Sequence, residues 1–235
     1  MKILNHKDKE FYAAHFQGNC HVYWMPFVAE LSARKVTLPK DLTIVTVASV
    51  PEKNMLIKQL KHSDTPFIND AESSGIWKNT KKIGYIIKSL ERVSTQYVLV
   101  LDAGDVLLSG DLTGIVKTFK EYGKKLIFGA TKSNHPNMSI DMISDRDFRG
   151  EFKYINAGTC IGETGYALEF YRAAKDILDN GELDNPINSE QFIIRHTFKD
   201  RTTDVDFDYE CSLFQTFGKA IQEIIDLENN VYRIV

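Results

Sequence analysis

The most informative pattern in the sequence is Tyr97-Val98-Leu99-Val100-Leu101-Asp102-Ala103-Gly104-Asp105-Val106-Leu107-Leu108. Its first five residues are apolar, a run that is typical of a strand buried on both faces of a parallel sheet. Asp102 and Asp105 follow where this strand ends. Because ligands of open α/β sheets bind beyond the carboxyl ends of the strands, the stretch predicts both a buried strand and a binding site.

Similar runs occur on either side of this stretch. Leu42-Thr43-Ile44-Val45-Thr46-Val47-Ala48 predicts an earlier buried strand, and residues 125–129 predict a later one. Helical patterns lie between them, at residues 83–90 and at about 112–122. Strand and helix therefore alternate from residue 42 to residue 129. This alternation predicts an α/β fold with a doubly wound, mostly parallel sheet flanked by helices.

The ends of the chain have a different character. The first forty residues predict helix, most clearly at residues 24–35, so we expect a helical N-terminal segment (1–41) before the sheet domain (42–235). A polar stretch at 131–150 predicts a long loop. The remaining predictions are a strand and turn at 154–162, helices at 167–178 and 189–198, and short strands near 206–208 and 221–225.

Composition excludes some classes of protein. The chain has 235 residues, 43% of them hydrophobic, and a formal net charge of -3, so no basic field would attract nucleic acid. The sequence shows neither a signal peptide nor the roughly 18 apolar residues of a transmembrane segment. Its three cysteines are widely spaced and do not resemble a disulfide framework or a zinc site. We therefore expect a reduced, cytoplasmic protein.

The aspartate pair favours a metal site. Two neighbouring carboxylates repel each other unless a cation lies between them. Their oxygen atoms suit Mg²⁺ or Mn²⁺, which can also bridge a diphosphate. A turn that uses aspartates for local hydrogen bonds is an alternative. A haloacid-dehalogenase-like phosphatase is another, although that family usually has its second aspartate at the position of Gly104.

Several segments together resemble the glycosyltransferase domain of procollagen lysyl hydroxylases. The similar segments, in chain order, are residues 42–48, Leu101-Asp102-Ala103-Gly104-Asp105-Val106, Tyr154-Ile155-Asn156-Ala157-Gly158-Thr159-Cys160-Ile161-Gly162, Ser189-Glu190-Gln191-Phe192 and Asp208-Tyr209-Glu210-Cys211-Ser212-Leu213-Phe214-Gln215. The resemblance implies a GT-A-like fold, a UDP-sugar donor and a Mn²⁺-like metal.

The resemblance also implies positions for the donor. Thr46 and Val47 would lie along the uridine, and Lys82 matches a family lysine near the donor. Trp77 could stack on a base or a sugar, or could simply pack against the protein. Lys82 could equally be a solvated charge on a helix.

Three further residues are candidates on the sugar side. Asn156 and Gly158 lie in a predicted small-residue turn, where glycine lets the backbone approach a ligand and asparagine can bond sugar hydroxyls. Glu190 could orient hydroxyls or act as a base. An ordinary turn would also explain the first two residues, and the first turn of a helix would also explain Glu190.

The sequence departs from the family pattern at the metal site and around it. Ala103 and Gly104 stand where the family often has a bulky aromatic residue, and Tyr209 replaces a histidine. The family's His-Gly-Asn segment, which supplies a metal ligand, has no counterpart, since no His-Gly pair occurs. We therefore expect Asp102 and Asp105 as the metal's two protein ligands. His196 and His135 are the histidines to test if a further ligand exists.

These observations predict a metal-dependent glycosyltransferase that moves a hexose from a UDP-sugar to a hydroxyl acceptor. The acceptor could belong to a protein or a glycan. The alternatives are a phosphatase of the kind named above, a nucleotide-sugar hydrolase, and a degenerate domain that binds a sugar nucleotide without chemistry. The oligomeric state, the sugar, and retention or inversion of configuration are not predicted.

Overall fold

The computed structural model describes residues 2–5, 7, 9–18, 20–71, 77–136, 151–181, 189–218, 223–226 and 231–234. Its strands are β1 (Lys2–Leu4), β2 (Ala13–Phe16), β3 (Leu42–Val47), β4 (Phe67–Ile68), β5 (Tyr97–Asp102), β6 (Val106–Leu108), β7 (Leu126–Thr131), β8 (Tyr154–Glu163), β9 (Val205–Phe207), β10 (Phe214–Phe217), β11 (Glu223–Asp226) and β12 (Val231–Ile234). Its α-helices are α1 (Met25–Ser32), α2 (Met55–His62), α3 (Lys81–Leu90), α4 (Ile115–Glu121), α5 (Thr164–Asp179) and α6 (Glu190–Lys199). Short 3₁₀ helices occupy Cys20–Tyr23 and Pro51–Lys53.

The central sheet has six strands in the order β4-β3-β5-β8-β7-β9. All of its strands run parallel except β8, which is antiparallel to both of its neighbours. The predicted mostly parallel α/β sheet is confirmed, and the fold is GT-A-like. The apolar runs form β3 and β5 because the sheet has a hydrophobic core on each face. Helices α3, α5 and α6 pack on one face, and α2 and α4 pack on the other.

Strand β8 corrects one detail of the sequence analysis. The predicted strand and turn are one continuous ten-residue strand. Its pairing with β7 shifts register, because Phe128 pairs with Cys160 and the next residue, Gly129, pairs with Asn156. Residues 157–159 are therefore extra residues on β8, as in a β-bulge. Asn156 and Gly158 lie at this bulge and not in a turn between elements.

A second sheet, in the order β10-β2-β6, corrects the view of the N-terminus. The helical prediction holds for α1 but is wrong for Ala13–Phe16, which forms β2. This strand pairs antiparallel with β6 and parallel with β10. Tertiary pairing decides its structure, because β6 and β10 complete its backbone hydrogen bonds from distant parts of the chain. Both partners lie beyond the predicted boundary at residue 41.

The remaining strands form a third sheet in the order β1-β12-β11. Of the predicted loop at 131–150, residues 137–150 lie outside the described part of the chain. The three cysteines are buried free thiols. Among the described residues, no helix combines the length and apolar character needed to cross a membrane.

Candidate active site

The site forms around the turn that joins β5 to β6. Asp102 is the last residue of β5, and Asp105 immediately precedes β6. The amide N–H of Leu56 donates to the Ala103 carbonyl at 3.2 Å, which ties the turn to α2. Both aspartate side chains are largely buried, with exposed fractions of 27% and 19%. The turn thus holds two carboxylates at the carboxyl edge of the sheet.

A histidine from the N-terminal part of the chain completes this cluster. His15 lies on β2 opposite Val106, and its Nε2 atom is 3.4 Å from Oδ2 of Asp105. The backbone N–H of Gly18 donates to the same carboxylate oxygen at 3.0 Å. One potential ligand atom from each of His15, Asp102 and Asp105 lies within 4.8 Å of the others. The sequence analysis did not identify His15.

Burial and charge set the protonation of this cluster in opposite directions. Burial raises the pKa of Asp102 to about 6, although the nearby Lys82 ammonium opposes the rise. Burial would also raise the pKa of Asp105, but the charge and hydrogen bond of His15 outweigh it and lower that pKa. Conversely, burial would lower the pKa of His15, and Asp105 raises it above its usual value. His15 and Asp102, whose pKa values are raised, therefore hold protons to a higher pH than usual, and a bound metal ion would displace these protons.

Lys82 and Glu190 extend the cluster. The Lys82 ammonium on α3 contacts the Asp102 carboxylate and lies 3.2 Å from Glu190 Oε1, at the start of α6. Burial would lower the pKa of Lys82, but these two carboxylates outweigh it and raise it. The Lys82 side chain is 8% exposed. The alternative of a solvated helix charge is therefore wrong, and Lys82 is a buried cation between two acids.

Two cavities meet at these residues. The first, which we call the β3-side pocket, has a volume of about 510 Å³ and is lined by residues 47–50 and Trp77. The second, the β8-side pocket, has a volume of about 630 Å³ and is lined by Asn156, Gly158 and Gln191, among others. Both pockets share a ridge made of Gly18, Asn79, Asp102, Asp105 and Glu190. A molecule in one pocket can thus meet a molecule in the other across the aspartates.

Of the residues predicted to contact the donor, three line the β3-side pocket and one is buried in the core. Val47, Trp77 and Lys82 line the β3-side pocket. Trp77 is 40% exposed and stacks on Tyr85, with ring centroids 6.3 Å apart. Thr46 lines neither pocket, because its side chain is fully buried and its hydroxyl donates to the Leu101 carbonyl at 2.8 Å. Its side chain stabilises the β3–β5 pair instead.

Gly158 is required by the histidine beside it. A Cβ atom at this position would lie 2.6 Å from Cε1 and 2.8 Å from Nε2 of His15, closer than side-chain atoms pack. The Gly158 N–H donates to Asn156 Oδ1 at 2.8 Å, which fixes the bulge. The predicted close approach therefore occurs at Gly158, but the group that approaches is the imidazole of His15.

The two histidines named from the sequence, His135 and His196, do not belong to the cluster of His15, Asp102 and Asp105. His135 lines the β8-side pocket. His196 lies on α6 and packs against Phe192, with ring centroids 4.7 Å apart. Burial lowers the pKa of His196, and this residue lines neither pocket. It is therefore a packing histidine.

Asp208 fixes the start of β10, the strand that pairs with β2 beside His15. Its buried carboxylate accepts backbone N–H groups from Ser212, Leu213 and Phe214 at 2.7–2.9 Å and the Tyr122 hydroxyl. These bonds fix the start of β10, which pairs with β2 at the level of His15. The Asp208 segment that resembles the family motif thus acts on the site through the sheet.

The residues present are suitable ligands for a divalent metal ion. Asp102 and Asp105 offer carboxylate oxygens and His15 offers an imidazole nitrogen, all at a spacing that one ion can span. Carboxylate oxygens suit Mg²⁺ and Mn²⁺ alike, and first-row transition metal ions such as Mn²⁺ accept an imidazole nitrogen more readily than Mg²⁺ does. The open pockets on both sides leave room for further ligands from a bound molecule.

The structure combines a mostly parallel sheet with an acidic turn at the carboxyl edge of that sheet, between two pockets. This arrangement is that of the GT-A-like α/β proteins. The family model of the PLOD glycosyltransferase (GT) domain matches residues 40–234, so the chain belongs to this family. This match confirms the resemblance seen in the sequence. A search of curated proteins gave no significant match.

Proposed function

We propose that this protein is a metal-dependent glycosyltransferase that moves a hexose from a UDP-sugar to a hydroxyl acceptor. The observation that carries the proposal is the convergence of His15, Asp102 and Asp105 where the two pockets meet. The family assignment favours glycosyl transfer over the phosphatase alternative.

In this proposal the three residues hold a divalent ion, with Mn²⁺ preferred because of the imidazole. When bound, the ion supplies charge neutralisation for the departing nucleoside diphosphate. The chain's part is to fix the ligands before the donor arrives. Gly18 and His15 bond Asp105, and Gly158 leaves space for the imidazole. Preorganised ligands of this kind pay no reorganisation cost during the reaction.

The donor nucleoside would occupy the β3-side pocket. Val47 lines its floor, and the half-exposed Trp77 offers a face for stacking. Ala103 and Gly104, which stand where the family often has an aromatic residue, also line this pocket and offer no aromatic face. The base would then stack on one aromatic face instead of between two.

The sugar and the acceptor would meet at Glu190 and Asn156. Glu190 borders both pockets and is held by Lys82, so it can accept hydrogen bonds from sugar hydroxyls in a fixed position. Asn156 lines the β8-side pocket, and its Oδ1 is bonded to the Gly158 N–H, which leaves its amide group to donate. Positioning of this kind, with charge neutralisation at the diphosphate, would supply most of the rate.

The acceptor would enter through the β8-side pocket. Carboxylate, amide, hydroxyl and imidazole groups line this pocket, among them Gln17, Ser133 and His135. Such a lining matches a hydroxyl-rich molecule, because each hydroxyl can both donate and accept a hydrogen bond. An acceptor hydroxyl therefore finds hydrogen-bonding partners on this side.

A thermal-shift panel tests the donor and metal assignments together. UDP, GDP, CDP and TDP would each be added with Mn²⁺ and with EDTA. We expect UDP with Mn²⁺ to stabilise the protein most, by about 2.7 kcal/mol at a hundredfold excess over the dissociation constant. Equal shifts in EDTA would remove the metal from the proposal, and a larger shift with another nucleotide would replace UDP. Binding without any turnover of a UDP-sugar would favour the degenerate domain.

A further inference from the structure

One face of α6 carries two buried polar side chains, Gln191 and Arg195. They are four positions apart in the sequence, so they lie one above the other on the helix. Their exposed fractions are 8% and 5%. Burying a guanidinium is costly unless its N–H groups are hydrogen-bonded, so the partners of Arg195 show what this residue stabilises.

Those partners lie on two segments beside the β8-side pocket, residues 133–136, which we call the wall, and the start of β8. Arg195 Nη1 donates to Asn134 Oδ1 at 2.8 Å and to the Pro136 carbonyl at 3.5 Å. Its Nη2 and Nε donate to the Ile155 carbonyl at 3.2 and 3.4 Å. The guanidinium also lies over the Tyr154 ring, 5.6 Å from the centroid. Arg195 thus links the segment after β7 to the first residues of β8.

Gln191 makes a parallel link one turn earlier. Its Oε1 accepts the Ala157 N–H at 3.0 Å, and its Nε2 donates to the His135 carbonyl. The two α6 side chains therefore join residues 134–136 to residues 155 and 157. Asn156 and Gly158, the pocket-lining residues of β8, lie between and beside these attachment points.

The segment presents alternate residues to the pocket. Ser133 and His135 line the β8-side pocket, whereas Asn134 and Pro136 are bonded from behind by Arg195. Arg195 itself lines neither pocket. Its planar fork of five N–H donors bonds a side-chain oxygen and two carbonyls from three nitrogens, whereas the three donors of a lysine radiate from one nitrogen.

We propose that Arg195 is a positioning residue that holds Ser133 and His135 in the wall against which a sugar acceptor binds. The inference rests on the proposed function, because it assigns the β8-side pocket to the acceptor. Arg195 sets the distance between this wall and β8, and so decides whether an acceptor hydroxyl, or only water, reaches the donor sugar.

The test compares transfer with hydrolysis in Arg195→Met and Arg195→Lys. A UDP-hexose that the wild type turns over is incubated with Mn²⁺ and either methyl β-D-galactopyranoside or methyl β-D-glucopyranoside, and mass spectrometry measures disaccharide and free hexose. We expect Arg195→Met to lower the ratio of disaccharide to hexose by about tenfold, because a displaced wall misplaces the acceptor. Total UDP release and UDP affinity should stay within about twofold of the wild type. Arg195→Lys should recover part of the ratio.

Arg172→Met is the matched control. This arginine lies on α5 with its side chain 57% exposed, where it pairs with Glu91 at 2.8 Å. We expect it to change neither the product ratio nor hydrogen exchange. In Arg195→Met, amide hydrogens of residues 131–135 should exchange about tenfold faster, while those of β5 keep their protection.

Several results would overturn the inference. An unchanged product ratio or unchanged exchange at residues 131–135 would show that Arg195 does not set the wall. A parallel loss of UDP affinity, or the same loss in Arg172→Met, would point to a general effect on the fold. A wild type that forms hexose but neither disaccharide would remove the acceptor from this wall. If the wild type binds no UDP, the proposed function fails, and the exchange experiment still decides whether Arg195 holds the segment.

Discussion

Substituting Gly158 by alanine tests whether the β8 bulge exists to seat His15. The added Cβ would lie 2.6 Å from the Cε1 atom of His15, whereas packed carbon atoms are separated by about 3.5 Å. The imidazole must therefore retreat by about 1 Å. Metal–nitrogen bonds tolerate only about 0.2 Å of variation, so the substitution should weaken or remove this ligand without changing any ligand residue.

Two magnitudes follow from this displacement. Overpacking of a buried contact costs about 1–3 kcal/mol of unfolding free energy, which for a protein of this size lowers Tm by about 2–4 °C per kcal/mol. Disturbing the surroundings of a metal ligand lowers metal affinity by about 10–100-fold. Thermal unfolding without metal, and calorimetric titration of Mn²⁺ in the presence of UDP, measure the two effects separately.

Gly165→Ala is the control for this substitution. Gly165 lies in α5, and a Cβ built there meets nothing within 4 Å, so the change should leave Mn²⁺ binding intact. The decisive comparison is Gly158→Ala in a His15→Ala background, where the imidazole is gone. We expect most of the stability cost of Gly158→Ala to disappear there, because the remaining close approach is that of the Cβ to Asn156 Oδ1 at 3.0 Å. If the cost persists unchanged, or if the single variant binds Mn²⁺ like the wild type, the contact with His15 does not explain Gly158.

Three further predictions concern the charged groups of the ridge. Asp105→Asn should lower turnover of a UDP-sugar by about 100-fold or more while thermal unfolding stays close to that of the wild type; turnover retained in saturating Mn²⁺ would contradict its role as a ligand. Glu190→Gln should lower turnover but leave UDP affinity unchanged in calorimetry, and full turnover would reduce Glu190 to a helix-start residue. In the proposed site, Mn²⁺ would require a neutral His15 and an ionised Asp102, whose pKa is raised to about 6. Affinity should therefore fall from pH 7 to pH 5, by about tenfold per pH unit for each proton displaced, and a flat profile over this range would contradict the assigned ligands.

The sequence revealed the parts of the fold and site that depend on local pattern. The apolar runs predicted β3 and β5, and the acidic turn between apolar strands predicted the position of Asp102 and Asp105. Lys82 and Trp77 line the β3-side pocket, where the proposed function places the donor.

The features that the sequence did not reveal depend on pairing across the chain. Ala13–Phe16 is too short to signal a strand, and its pairing with β6 joins segments about ninety residues apart, so nothing local marked His15 as a neighbour of Asp105. Thr46 was expected at the pocket, but the direction of its side chain depends on the register of β3 against β5. The burial of Lys82 likewise follows from the approach of Glu190 on α6, which no spacing in the sequence encodes.

The most direct test of the central claim is release of UDP from UDP-hexoses by the wild type and by Asp105→Asn, in Mn²⁺ and in EDTA. UDP-glucose, UDP-galactose and UDP-N-acetylglucosamine would each be supplied with the two methyl glycosides, and mass spectrometry would follow the products. We expect the wild type to release UDP from at least one donor in Mn²⁺ and to transfer the hexose to a glycoside. This release should be lost in EDTA and in Asp105→Asn. Equal release in EDTA, or no release from a protein that binds UDP and Mn²⁺ tightly, would contradict the central claim.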